Sequence, residues 1–411
     1  MRKFCLHLLF LALVSFGFLG CADEGKAENE IITLDLMEAT KNVKNLNLSE
    51  LVDDVEYVKL ETREDCTFGL GRYLVTDNYI VVFEEYKASV LFFSREGKYL
   101  RSIGRKGNGP GEFFRVSEVI AFPEEDCLVI YDGGASKLIK YSIKGDLLLE
   151  QSYPRNLERI SSFSKLGSDY FALVFSSMDM DKQSFNRIQI MDKDFEILDS
   201  GFPVLRQFVE NSSNFNKISF YLKSKTTHIL DNDSLFEIDE GALIPKFHFW
   251  IKENARPENS NPWRPEGGPY NRFGGVFELG NYLMCDFDIP GEEEGSFYGY
   301  SIVYNQETQS LFTLPELRWY IRENGTEAAI FNDIDGIHHI YMANYTNTPI
   351  THFTEKMICK AFDIIDLKSY IEDKTHEEIE VKLPKRQAEL IELVEKSELE
   401  DNPIVQIFHL K

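Results

Sequence analysis

The chain has 411 residues, 68 of them acidic against 44 basic, for a formal net charge of −24, and 13% of its residues are aromatic. An acidic chain without a basic cluster repels a phosphate backbone, so nucleic acid is not an expected partner. The aromatic content excludes a disordered chain and is ample for a large core.

The N-terminal residues MRKFCLHLLFLALVSFGFLGCADEGK place Arg2 and Lys3 before a run, Phe4 to Leu19, that is apolar apart from His7, Ser15 and Gly17. That run is shorter than the roughly 20 residues a membrane-crossing helix needs. Residues 1–20 therefore read as a secretory signal. The stretch Phe18-Leu19-Gly20-Cys21 resembles the lipobox of bacterial lipoproteins, with Phe18 and Leu19 departing from the usual Leu followed by a small residue. The resemblance implies cleavage before Cys21, lipid on its thiol and a membrane partner through that anchor. Ala22, where Asp would retain a lipoprotein at the inner membrane, implies the outer membrane, on its periplasmic or its surface face. Residues 21–29 read as a flexible tether.

Of the remaining cysteines, Cys5 leaves with the signal, and Cys66, Cys127, Cys285 and Cys359 are widely spaced without a CxxC. Disulfides are permitted outside the cytoplasm, but no pairing follows from such spacing. Cys127 in EDCLVIYD and Cys285 in YLMCDFD read as small buried hydrophobes of strands.

Residues 79–100, YIVVFEEYKASVLFFSREGKYL, align with residues 127–148, CLVIYDGGASKLIKYSIKGDLL. Ile80 matches Leu128, Phe83 matches Tyr131, Val90 matches Leu138, Phe93 matches Tyr141 and Gly97 matches Gly145, each 48 residues apart. Both read as strand, turn, strand and glycine turn. Weaker copies follow at 170–198, 234–244, 281–314 and 336–366. A period near 48 with about four strands per unit predicts a β-propeller, whose units bury their faces against neighbours around an axis. The length of the 30–411 domain predicts six blades, with seven as the alternative.

IGRKGNGPGEF, residues 103–113, could cradle a phosphate or turn the chain between strands. No Gly-Lys-Ser/Thr follows, and FFRVSEVIAF is β-rich, so no helix N-terminus is available to an anion. The run reads as a crossover between units, with glycines free to adopt positive φ and Pro110 fixing its own. Gly104, Gly107, Pro110-Gly111-Glu112-Phe113, Asp132, Lys137, Tyr141 and Gly145 resemble an NHL-type repeat. With LNLSELVDDVEYVKLET (46–62) and DNPIVQIFHLK (401–411), the chain resembles the six-bladed β-propeller lipoproteins of Gram-negative gut anaerobes. The resemblance implies architecture and location rather than an activity.

The segment WIKENARPENSNPWRPEGGPYNRF (250–273) is long and rich in Pro and Asn. Its Trp263, Arg264, Tyr270 and Arg272 combine rings that stack on sugars with guanidiniums that fork onto carboxylates, and they are the expected ligand-binding residues. His338 and His339 are adjacent in a strand and face opposite ways, so they cannot share an ion. NDIDG (332–336) has the oxygens of a calcium loop without the later bidentate Glu, and reads as a turn. Neither a metal nor another cofactor is expected.

At the C-terminus, residues 383–401 predict a helix with Pro384 near its start and Leu390, Ile391, Val394 and Leu399 as its apolar stripe. Residues 404–410 predict a strand. Paired with a strand over 30–36, it would complete one blade from both ends of the chain and close the ring. The functional expectation is an outer-membrane binding scaffold for a glycan or an envelope protein. The alternative is an envelope or glycan-processing lyase or hydrolase with its site at the central channel.

Overall fold

The computed structural model describes residues 31–411 apart from 70, 86, 153–157, 167–169, 178–183, 206–220, 224–225, 232–233, 240–241, 251–271, 291–296, 316–329, 337–349, 354–355 and 373–379. The described residues are mostly β.

Six antiparallel sheets follow in chain order. Sheet I contains Arg72–Val75, Tyr79–Glu84, Ser89–Ser94 and Tyr99–Ile103. Sheet II contains Val116–Phe122, Cys127–Asp132, Lys137–Ser142 and Leu147–Ser152. Sheet III contains Glu158–Leu166, Tyr170–Ser177, Ser184–Asp192 and Ile197–Leu205. Sheet IV contains Tyr221–Lys223, Thr226–Asp231, Ser234–Asp239 and Ala242–Trp250. Sheet V contains Arg272–Leu279, Tyr282–Pro290, Phe297–Asn305 and Ser310–Thr313. Sheet VI contains Ile350–Phe353, Met357–Phe362 and Ile404–Leu410, with Val52–Lys59 as its last strand.

The second strands of sheets I and II, YIVVFE and CLVIYD, are apolar at consecutive positions rather than alternate ones. Successive side chains point to opposite faces, so such a strand is buried on both. Ile80 and Val82 pack against Cys359 and Ile407 of sheet VI, while Val81 and Phe83 pack against Leu128 and Ile130 of sheet II. The same relation continues around the molecule. Phe122 and Val129 of sheet II meet Phe171 and Leu173 of sheet III, and Phe247 and Phe249 of sheet IV meet Leu283 and Phe287 of sheet V. The first strands of sheets III and IV touch. Met284 and Val303 of sheet V meet Val55 and Phe408 of sheet VI. Each sheet is thus packed between two others.

The expected pairing of residues 30–36 with 404–410 does not occur. Ile32–Asp35 instead adds a fifth strand to sheet IV, parallel to Ala242–Trp250 with Ile32 opposite Phe247. The partner of Ile404–Leu410 is Val52–Lys59, with Val55 opposite Phe408. Both segments have strand composition, and composition alone does not choose a partner. A register shift between Val52 and Asp54 places Val52 and Val55 on one face and hides the period of two.

The C-terminal helix spans Pro384–Glu395, shorter than the 383–401 expected, with the proline in its first turn. Leu390 and Val394 are buried, whereas Leu399, assigned to the same stripe, lies beyond the helix and is 56% exposed. This helix and Ile364–Glu372 pack on Phe362 and Ile404. Arg386 makes a two-pronged pair with Asp54, Nε–Oδ1 2.9 Å and Nη2–Oδ2 2.6 Å. That pair ties the helix to the last strand of sheet VI.

Candidate functional site

The glycine run lies between the last strand of sheet I and the first of sheet II. Gly104 has φ +68°, and a Cβ there would sit 2.2 Å from the ring of Phe113. Gly111 has φ +70°, and its carbonyl accepts from the Tyr141 hydroxyl. Two of the run's backbone N–H groups are already matched to anions of the chain itself. Gly109 N donates to Glu112 Oε2 at 2.7 Å, and Gly111 N donates to Glu150 Oε2 at 2.6 Å. Where a phosphate loop leaves such donors open, this one fills them with carboxylates, so the glycines shape a crossover.

At the end of that crossover two buried carboxylates, 48 residues apart like the aligned repeats, hold backbone in place. Asp132, fully buried at the end of the second strand of sheet II, accepts from Phe114 N at 2.8 Å, Arg115 N at 3.1 Å, Gly134 N at 2.8 Å and Ala135 N at 3.1 Å. Glu84, at the corresponding place in sheet I, accepts from Gly69 N at 2.9 Å. Each carboxylate fixes the chain entering its sheet's first strand.

The clamps present four charged side chains where the first strands of sheets I and II approach. Arg72 Nη1 lies 3.0 Å from Glu118 Oε2, and Arg72 Nη2 donates to the Ser117 carbonyl. The Arg72 guanidinium also lies over the Phe83 ring, 4.7 Å from its centroid, which fixes its plane. Arg115 Nε lies 3.3 Å from Glu85 Oε1 and 3.3 Å from Ser117 Oγ. The side chains of Arg72 and Glu118 are 37% and 34% exposed, those of Arg115 and Glu85 46% and 38%. The Glu118 carboxyl is nevertheless raised above the usual carboxylate range, first because the enclosing protein disfavours its charged form, with Glu85 adding to the effect and Arg72 opposing it. Phe114, which precedes Arg115 in the chain, is 38% exposed.

The expected ligand-binding residues are not brought together in what the structure describes. Trp263, Arg264 and Tyr270 lie outside the described residues, as do Cys21, His338 and His339. Arg272 opens the first strand of sheet V, opposite Asp288 in the register. NDIDG forms a buried turn. Asp335 accepts from Tyr57 Oη, from Gln406 Nε2 at 2.9 Å and from Asn332 Nδ2 at 2.6 Å. Asp333 accepts from Ser49 N at 2.9 Å and Ser49 Oγ at 2.6 Å, beside Lys382 at 3.2 Å. These oxygens serve donors from both ends of the chain. Among the described residues no group of three or more His, Cys, Asp and Glu side chains could hold a metal ion. Cys66, Cys127, Cys285 and Cys359 are buried, and no disulfide joins them.

Residues 31–409 match the family described as Domain of unknown function (DUF4934). The chain belongs to this family. No curated protein matches it. Among solved structures, a protein of Bacteroides fragilis described as exported is similar at 14% identity, with a TM-score of 0.57, over 93% of this chain and all of that one. That likeness is one of fold. A duf4221 family member from Bacteroides vulgatus is 10% identical, with a TM-score of 0.45 over 88% of this chain and 97% of that one. Virginiamycin B lyase from Staphylococcus aureus, a propeller, is 11% identical, with a TM-score of 0.38 over 86% of this chain and 99% of that one. Among the described residues no helix is long and apolar enough to cross a membrane.

Proposed function

We propose that this DUF4934 chain is an exported, lipid-anchored binding scaffold built as a six-bladed β-propeller. Its six sheets are the blades, and sheets I and II carry the NHL-like repeat. Packing in cyclic order supports the ring, and sheet VI, which joins strands from both ends of the chain, closes it. Lipidation at Cys21 and residence in the outer membrane rest on the leader sequence and on Ala22. The exported relative of like fold agrees with passage out of the cytoplasm.

The observation that carries the binding role is the half-exposed set Arg72, Glu118, Arg115 and Glu85, held rigidly where first strands converge. In a six-bladed ring all first strands start at one end, so Arg72 and Arg272 open on the same mouth. Residues 251–271 join sheet IV to sheet V as the glycine run joins sheet I to sheet II. Trp263, Arg264 and Tyr270 lie in that connecting segment of the sequence.

The test has two parts. Labelling with an alkynyl palmitate in the native host should mark the wild type and not Cys21→Ala. A photo-crosslinking residue at Phe114 should capture a cell-envelope component that the same residue at Leu100, on the opposite edge of sheet I, does not. Equal labelling of both anchor forms removes the lipid anchor, and adducts from neither position remove the binding role. The raised carboxyl of Glu118 favours one second reading, a lyase or hydrolase using it as a proton donor. Turnover of an envelope glycan that Glu118→Gln abolishes would select it.

A further inference from the structure

We infer that the half-exposed set Arg72, Glu118, Arg115 and Glu85, where the first strands of sheets I and II approach, takes a neutral polyhydroxylated ligand, a sugar, rather than an ion. The inference rests on the binding role just proposed and assigns it a ligand class.

The two arginines and two glutamates sum to no net charge, and each cation is matched to a carboxylate, at 3.0 Å for Arg72–Glu118 and 3.3 Å for Arg115–Glu85. An anion would have to displace a glutamate inside a chain of formal net charge −24. A cation would have to displace an arginine. Neither gains the uncompensated partner that makes an ion site strong.

A hydroxyl pair needs no displacement. Each guanidinium is a planar fork of donors, each carboxylate has free lone pairs, and vicinal hydroxyls both donate and accept. Ser117 Oγ, 3.3 Å from Arg115 Nε, adds a hydroxyl of the same kind. A sugar also has an apolar face, and Phe114, 38% exposed and next to Arg115 in the chain, is the ring available to it. The groups are held before binding: Arg72 by Phe83 and the Ser117 carbonyl, and the Phe114–Arg115 backbone by Asp132. A weak, hydroxyl-rich ligand gains most from a site whose side chains are already ordered.

The test is saturation-transfer NMR and calorimetry on residues 21–411 with glucose, galactose, mannose, N-acetylglucosamine and, as the charged comparison, glucuronate. At least one neutral sugar should bind saturably, with an affinity unchanged within about twofold between about 0.05 and 0.5 M salt, because no charge is neutralised on binding. Arg115→Ala and the near-isosteric Glu118→Gln should each weaken binding roughly tenfold at unchanged melting temperature. Lys360→Met, in sheet VI, should leave it unaltered. Three results overturn the inference: no neutral sugar bound at about 50 mM, a limit far above ordinary site affinities; binding of glucuronate alone, lost with salt; or sugar binding indifferent to both Arg115→Ala and Glu118→Gln. A crosslinked protein partner at Phe114 with no sugar binding would end this inference and leave the scaffold role standing.

Discussion

Replacing Lys360 by methionine is expected to stabilise the protein at neutral pH. Lys360 lies in the second strand of sheet VI and is 3% exposed. Its ammonium lies over the Phe362 ring, 4.4 Å from the centroid. Burial pushes its pKa from 10.5 down to about 8. Between about pH 8 and 10.5 the unfolded chain holds this proton and the folded chain has released it, so unfolding takes a proton up and stability rises with pH. Below about pH 8 both states are charged and the full cost is present. At 1.36 kcal/mol for each pH decade, that cost is about 3 kcal/mol. The ring offsets about 1–2 kcal/mol of it. Methionine keeps the length of the side chain without the charge, so Lys360→Met should gain roughly 2 kcal/mol at pH 7, an advantage shrinking toward zero above about pH 10. Urea unfolding followed by circular dichroism at a series of pH values measures the difference, in which other titrating groups cancel. A variant less stable at pH 7, or an advantage constant across the range, would refute the reasoning.

Three further outcomes test elements that hold the fold together. Gly104→Ala must adopt φ +68° against the Phe113 ring and should lose at least about 2 kcal/mol in denaturant unfolding, whereas alanine at neighbouring Lys106, which is exposed, should cost under about 0.5 kcal/mol. Asp335→Ala leaves Tyr57, Gln406 and Asn332 without their acceptor and should cost roughly 3 kcal/mol or more, read as a lower melting temperature. Tyr141→Phe loses the bond to the Gly111 carbonyl, about 1 kcal/mol near neutrality. Burial pushes the Tyr141 hydroxyl up from 10.0 to about 12, so its contribution is whole below pH 10 and is lost as pH rises toward 12. The deficit of the phenylalanine form should therefore shrink across that window in alkaline unfolding curves.

Sheets I and II were legible because their second and third strands are apolar on both faces and their glycine turns keep one spacing. Gly97 and Gly145 both have positive φ, +83° and +100°, as aligned glycine turns require. In sheet III the corresponding turn, residues 193–196, has no glycine, and Phe195 itself sits at φ +67°. The charged set was illegible for a different reason. Arg72 and Glu118 are each one charged residue in an ordinary strand, and their 3.0 Å approach exists only after two sheets pack. One signal was available: an acid at the same station of both repeats, Glu84 and Asp132, within otherwise apolar strands. A buried carboxylate persists only where donors meet it, and here those donors form the wall of the site. NDIDG was legible as a turn but not as a buried one, because an oxygen-rich turn looks alike whether water or the chain's own donors meet its carboxylates.

The last strands of the sheets show why the N-terminal segment does more than complete sheet VI. A bare last strand is open to pairing with another chain. In sheets I, II and III that strand is separated from the third by a register shift, at Phe92/Phe93, Lys140/Tyr141 and Ile190/Met191. Such a bulge twists an edge away from a partner. These are also the edges on which Leu100, Leu148 and Ile197 are exposed, at 41%, 52% and 50%. Sheets IV, V and VI are covered instead by one continuous stretch. Ile32–Asp35 pairs with the last strand of sheet IV, Asn42 O and Lys44 N bond Thr313 on the last strand of sheet V, and Val52–Lys59 is the last strand of sheet VI. A single strand closing sheet VI would have left two neighbouring edges bare. By crossing three edges before it pairs with Ile404–Leu410, the segment joins those sheets to one another, and peeling it from any one exposes the next.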